Sequence, residues 1–91
     1  MTTEEQFDKI ICSCRDIYAK KLKDYGAAWR IMRATSITDQ IFIKANRIRS
    51  LETKGEAKID EGIRGELVAI VNYGIMGLIQ LEKGYSETSD I

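Results

Sequence analysis

The chain has 91 residues, with 14 basic and 14 acidic side chains and a formal net charge of zero. That balance argues against a general nucleic-acid or anionic-membrane binder, which would carry a basic excess, while leaving room for a local basic pocket. There is no His and no Pro. The first absence removes the usual general base, the usual zinc ligand and every Ser/His or Cys/His mechanism; the second suits long uninterrupted helices.

This length predicts a single domain spanning 1–91. Such a domain hides only about 60–65% of its chain surface, so pairing with a second copy would help it. Cys12 and Cys14 are two residues apart. On a helix they point roughly 200° apart, so they neither clamp one metal nor bond each other, and they read as reduced thiols of a cytoplasmic protein. Met1 to Glu5 is polar and acidic, unlike a signal peptide. No segment is expected to reach the roughly 18 apolar residues of a membrane span.

The spacing predicts an all-α fold: a small bundle of three long helices, with a short helix or turn after the first. The first helix starts near Thr3, where Thr2/Glu5 and Thr3/Gln6 both have capping-box spacing. Phe7, Ile10, Ile11, Cys14, Ile17, Tyr18 and Leu22 recur at helical intervals and mark its buried face. Gly26 is a natural stop. Ala27 to Arg33 follows as the short helix or turn, with Trp29 as its core anchor.

Ser36, with Asp39 as the acidic partner of its box, is expected to open the second helix. Its buried stripe is Ile37, Ile41, Ala45, Ile48 and Leu51, widened by Phe42 and Ile43, and the helix ends near Lys54 before Gly55. Gly55 to Ile59 reads as a connector. The third helix, about Asp60 to Lys83 with Gly84 as its stop, has the widest apolar arc and should touch several neighbours. Gly62, Gly65, Gly74 and Gly77 within it each cost up to about 1 kcal/mol relative to Ala, so they imply close helix approach or room for a ligand. Tyr85 to Ile91 reads as a frayed tail.

Two lysines interrupt the apolar stripes: Lys21 near Cys14's side of the first helix, and Lys44 between Ile41 and Ile48 on the second. A recessed ammonium needs a partner or a route to water, and snorkelling is the simpler account of either one alone. Together with Arg30, Arg33 and Arg47 they suggest an anion site, since Arg forks and Lys point charges suit phosphate. Asp24, Asp39 and Glu66 are the acids that could join them as oxygen ligands for Mg²⁺. Each also has an ordinary reading, as turn closure, helix cap and surface glutamate respectively. Without His, a carboxylate such as Glu66 or Asp39 would have to orient an attacking water. Asn72 calls for a definite hydrogen-bond partner, either structural or on a ligand. Tyr25, Trp29 and Tyr73 could stack on a base, although aromatics at helix junctions are more often core.

The order Lys-x-x-Asp-Tyr-Gly-x-x-Trp-Arg at 21–30, then Ser36-Ile37-Thr38-Asp39-Gln40-Ile41-Phe42-Ile43-Lys44-Ala45 and Arg47-Ile48-Arg49, then Glu66 before Asn72-Tyr73-Gly74, resembles the nucleotide modification associated domain 1 family of bacteria and phages. The resemblance runs from about Phe7 to Glu82 and implies a link to nucleotide metabolism or base modification. More distantly, the Asp-Tyr-Gly turn is similar to all-α MazG-like nucleoside triphosphate pyrophosphatases, which hold Mg²⁺ on clustered acids and work as dimers or larger assemblies. The paired-acid motifs of those enzymes are not reproduced, and Ala69 stands where a second acid would follow Glu66.

These readings combine into one expectation. Lys21, Arg30, Arg33 and Lys44 hold phosphates, Asp24, Asp39 and Glu66 hold Mg²⁺ or water, and Tyr25, Trp29, Asn72 and Tyr73 frame a base or sugar. A homodimer would supply a missing half. If the domain is catalytic, the implied reaction splits a nucleoside triphosphate into monophosphate and pyrophosphate. The alternatives are a non-catalytic nucleotide-binding module and a purely structural or oligomerisation module.

Overall fold

A computed structural model describes residues 1–55 and 59–84. The described residues are all-α: α1 (Thr3–Tyr25), a 3₁₀ turn (Ala28–Ile31), α2 (Ala34–Lys54) and α3 (Ile59–Lys83). Ile59, expected in the connector, already belongs to α3; the remainder of that connector and the expected tail lie outside the described residues.

Local sequence sets most of the boundaries. The Thr2 hydroxyl accepts from the Glu5 amide at 3.1 Å, and the Glu5 carboxylate reaches back to the Thr2 amide, closing the capping box. At the other end Gly26 takes φ 67° and ψ −167°, a region open essentially to glycine, while its N–H bonds the Leu22 carbonyl at 2.8 Å. Gly55 ends α2 in the left-handed region.

The start of α2 corrects the sequence-based expectation. It begins at Ala34, two residues before Ser36, and its N-cap is Arg33, which makes no side-chain cap bond. Asp39 is exposed and forms no box. The extended backbone at Met32 and Arg33 sets the start, and Gln80, far along the chain, holds the Met32 carbonyl.

Helix α3 is the central element. It packs along α2 in antiparallel fashion: Ile37 at the start of α2 lies beside Gly77, and Leu51 near its end lies beside Gly62. Helix α1 instead crosses α3. The stretch Arg64–Val68 borders both Ile10 and Ile17, seven residues apart on α1, and the two helices meet far less than α2 and α3 do, as at a crossing. The crossing is pinned by Asn72, whose buried amide donates to the Cys14 carbonyl at 3.0 Å.

This arrangement buries little. Only Cys14, Ala27, Ile37 and Val68 are buried apolar residues among those described. Phe7, Ile10 and Ile11, expected in the core, are exposed, as are Phe42, Ile43 and Ala45 of α2. Leu67, Ile75, Leu78 and Leu81 of α3 are exposed as well. Helical periodicity identified the apolar faces, but three helices meeting through one seam and one crossing leave several of them without a partner. By length and composition alone, Glu61–Lys83 is also apolar enough to cross a membrane, contrary to expectation.

Two of the four helical glycines have a packing reason. A Cβ on Gly62 would stand 3.1 Å from Leu51 Cδ1, and one on Gly77 would stand 3.5 Å from Ile37 Cγ2. Gly65 and Gly74 face open space.

Candidate functional site

The 3₁₀ turn carries Trp29 and Arg30, and the end of α3 holds it in place. Gln80 is buried; its amide nitrogen donates to the Trp29 carbonyl at 3.3 Å, the Arg30 carbonyl at 3.0 Å and the Met32 carbonyl. Its oxygen accepts from the Arg30 guanidinium, which also donates to the Gly84 carbonyl at 3.0 Å. Arg30 is therefore a buried clamp, turned away from the phosphate role its spacing suggested. A lone amide inside the apolar run Leu78-Ile79-Gln80-Leu81 was the available sequence signal for this clamp.

Trp29 is half-buried rather than a fully enclosed anchor. Its indole N–H donates to the Tyr18 hydroxyl at 3.2 Å, and the two rings meet edge to face with centroids 6.4 Å apart. The Arg30 guanidinium carbon lies 5.8 Å from the Trp29 ring centroid, within cation–π range.

Beside this turn, two adjoining hollows run along the junction of α1 and α3. One, about 240 Å³, is lined by Tyr18, Lys21, Ala69, Asn72, Tyr73 and Met76 among others. The next, about 230 Å³, is lined by Lys21, Tyr25, Gly26, Trp29, Met32 and Tyr73 among others. Tyr18, Lys21, Tyr73 and Met76 line both, so the two form one groove. It gathers five of the side chains singled out in the sequence: Lys21, Tyr25, Trp29, Asn72 and Tyr73. Asn72 is tied up structurally, because its amide nitrogen is spent on Cys14. Gly65 lines the groove and keeps its floor open. Tyr18 and Met76, read only as packing or not at all, are also walls.

The second charged cluster lies elsewhere, on the α2–α3 seam. Lys44 Nζ stands 3.8 Å from Glu66 Oε2, and Arg47 stands 3.9 Å from Glu66 Oε1. These separations are ion-pair distances, too long for hydrogen bonds. Oε2 is shielded from solvent and accepts no hydrogen bond. Lys44 is thus recessed and paired, one of the two outcomes expected of a lysine on an apolar stripe.

The remaining acids do not join this cluster. Asp24 is exposed at the end of α1, and Asp39 is exposed near the start of α2. Among the described residues, no three acidic or Cys side chains come together where a metal could sit, so Asp24, Asp39 and Glu66 are not gathered into one cluster. Arg33 is exposed at the start of α2 and does not line the groove. Lys21, Asp24, Lys44 and Glu66 therefore share no one hollow: of the four, only Lys21 lines the groove.

Fold and site together define a small all-α domain with a one-sided groove walled by aromatics and carrying one cation. The sequence model of the nucleotide modification associated domain 1 family matches residues 21–81, roughly two thirds of the chain, and the chain belongs to that family. The match begins at Lys21, inside α1, and leaves out the first twenty residues, which the resemblance had partly included. It carries no link to the MazG-like pyrophosphatases. No curated protein and no solved structure matches the chain.

Proposed function

We infer that the domain binds a nucleotide in the α1–α3 groove. The supporting observation is the convergence there of Lys21, Tyr25, Trp29 and Tyr73 from three separate elements. An ammonium at the rim suits a phosphate, and aromatic walls suit a base. Family membership supports a nucleotide over other flat anions. Within one chain the acids needed for metal-assisted hydrolysis stand apart, which favours binding or sensing over turnover. Calorimetric titration with standard and base-modified nucleoside mono-, di- and triphosphates, with and without Mg²⁺, tests this reading. Sub-millimolar binding is expected, weakened about tenfold by Lys21→Met through loss of a charge-assisted contact. No heat at millimolar ligand would overturn it.

A second reading, Mg²⁺-dependent release of pyrophosphate from a nucleoside triphosphate, draws support from Glu66, whose shielded oxygen has no hydrogen-bond donor. It requires further acids from a second copy. Pyrophosphate release that disappears in Glu66→Gln would select it; binding without release would reject it.

A further inference from the structure

We propose that Asn72 reads the base of the nucleotide in the α1–α3 groove, so that the groove takes nucleotides whose base carries an exocyclic amino group. This role presupposes that a nucleotide occupies the groove, and adds the group that selects its base. Asn72 is 9% exposed. Its amide nitrogen donates to the Cys14 carbonyl at 3.0 Å. A carbonyl only accepts, so this bond also fixes which end of the amide is the nitrogen. The other end, Oδ1, accepts no hydrogen bond from any described residue, yet it is not among the unpaired polar atoms shielded from solvent. A buried amide whose oxygen is unused and open to space is a group set out for a ligand.

Two hollows meet at Asn72. One is the half of the groove that also holds Tyr18, Lys21, Ala69 and Tyr73. Lys21 and Tyr73 line the neighbouring half as well, so a phosphate at Lys21 leaves room for a base on the Asn72 side, over the open floor at Gly65. The other hollow is walled by Ile11, Ile75 and Ile79, with Trp29 and the exposed Arg15. Arg15 therefore serves as the control for which side the ligand takes.

An oxygen that only accepts selects for donors. Every common base has some N–H, but the ring N–H of uracil, thymine and hypoxanthine stands beside carbonyl oxygens, whose lone pairs would face Oδ1. An exocyclic amine projects beyond the ring and brings its donor to a recessed acceptor without that repulsion. Adenine, cytosine and guanine each carry one. Replacing the amine by a carbonyl, as between adenine and hypoxanthine or cytosine and uracil, hardly changes the shape of the base but sets acceptor against acceptor. A buried polar group left unpaired in this way discriminates strongly.

Calorimetric titration of the full chain with matched pairs tests the proposal: adenosine and guanosine monophosphates each against inosine monophosphate, and cytidine against uridine monophosphate. In at least one pair the amine-bearing member is expected to bind about tenfold more tightly or better. Asn72→Leu should reduce that ratio to about threefold or less while the far-ultraviolet helical spectrum persists. Lys21→Met should weaken both members and keep the ratio, and Arg15→Met should leave both affinities unchanged. Should Asn72→Leu fail to fold, the pairs measured on the wild-type chain still decide. Equal binding within every pair, or a ratio that survives in Asn72→Leu, overturns the proposal and leaves the groove reading standing, with Oδ1 given over to solvent. A larger loss in Arg15→Met than in Lys21→Met overturns it by moving the ligand to the isoleucine-walled hollow. No heat from any of these nucleotides at millimolar concentration overturns the groove reading and the role of Asn72 together.

Discussion

Helix α3 makes two very different contacts. Along α2 it runs antiparallel over most of its length, with two glycines set against Leu51 and Ile37 and an ion-pair cluster between them. Against α1 it meets at a crossing, fixed by one buried amide–carbonyl bond and bordered by hollows. A long close seam maximises apolar burial and leaves no room for a guest. A crossing sacrifices burial and opens space at its corners. Close packing and open space are thus assigned to opposite sides of one helix.

Substitutions on each side should separate these roles. The largest effect belongs to the seam: Ile37→Ala, at a residue only 1% exposed, is expected to cost about 2–5 kcal/mol in denaturant unfolding. Next comes the clamp. Gln80→Leu removes the donor to three turn carbonyls and the acceptor of the Arg30 guanidinium, costing about 1–3 kcal/mol. Because the turn carries Trp29, that variant should also alter tryptophan emission. Asn72→Ala at the crossing is expected to cost about 1 kcal/mol, since the Cys14 carbonyl loses only its side-chain donor. It should disturb groove binding more than its stability loss suggests.

The glycines sharpen the comparison further. Gly77→Ala meets Ile37 at an ordinary contact distance of 3.5 Å and should gain up to about 1 kcal/mol from helix propensity. Gly62→Ala meets Leu51 at 3.1 Å, so the displaced leucine offsets most of that gain. Smallest of all is Lys44→Met. Lys44 is 20% exposed and its partner Glu66 22%, and Arg47 remains nearby. A change of less than about 1 kcal/mol in either direction is expected in thermal or denaturant unfolding. A large loss there would move the ion cluster from a minor to a principal determinant of the seam.

The elements that the sequence specified correctly are those fixed within a few residues. Thr2 with Glu5, and the glycines at 26, 55 and 84, each act on their own helix end, and the boundaries followed from them. The start of α2 was missed because its cause is remote: Gln80 holds the Met32 carbonyl from 48 positions away. Burial at Phe7, Ile11 and Phe42 was misread for a related reason. Periodicity states which way a side chain faces, but not whether another element arrives to cover it.

The site divides along the same line. Lys21, Tyr25, Trp29, Asn72 and Tyr73 do reach one groove, because the turn after α1 folds back on the C-terminal half of α3. Arg30 was assigned by its charge and its neighbourhood, and neither reveals a buried amide waiting at Gln80. Asp24 and Asp39 were grouped with Glu66 by chemistry alone, and the folded chain keeps them on separate elements.

The crossing of α1 over α3 has a consequence for motion. Past Cys14 the helix is held again, by the Tyr18 hydroxyl on the Trp29 indole and by the clamped turn that follows Tyr25, so the end free to rock, as a beam does on a pivot, is the stretch before the crossing. Its amides should therefore open to hydrogen exchange at a lower free energy than those of the hairpin, as a separate cooperative unit. Lys21 lies on the held side of the crossing, so the groove it lines with Tyr73 should keep its width while the other end of the helix opens.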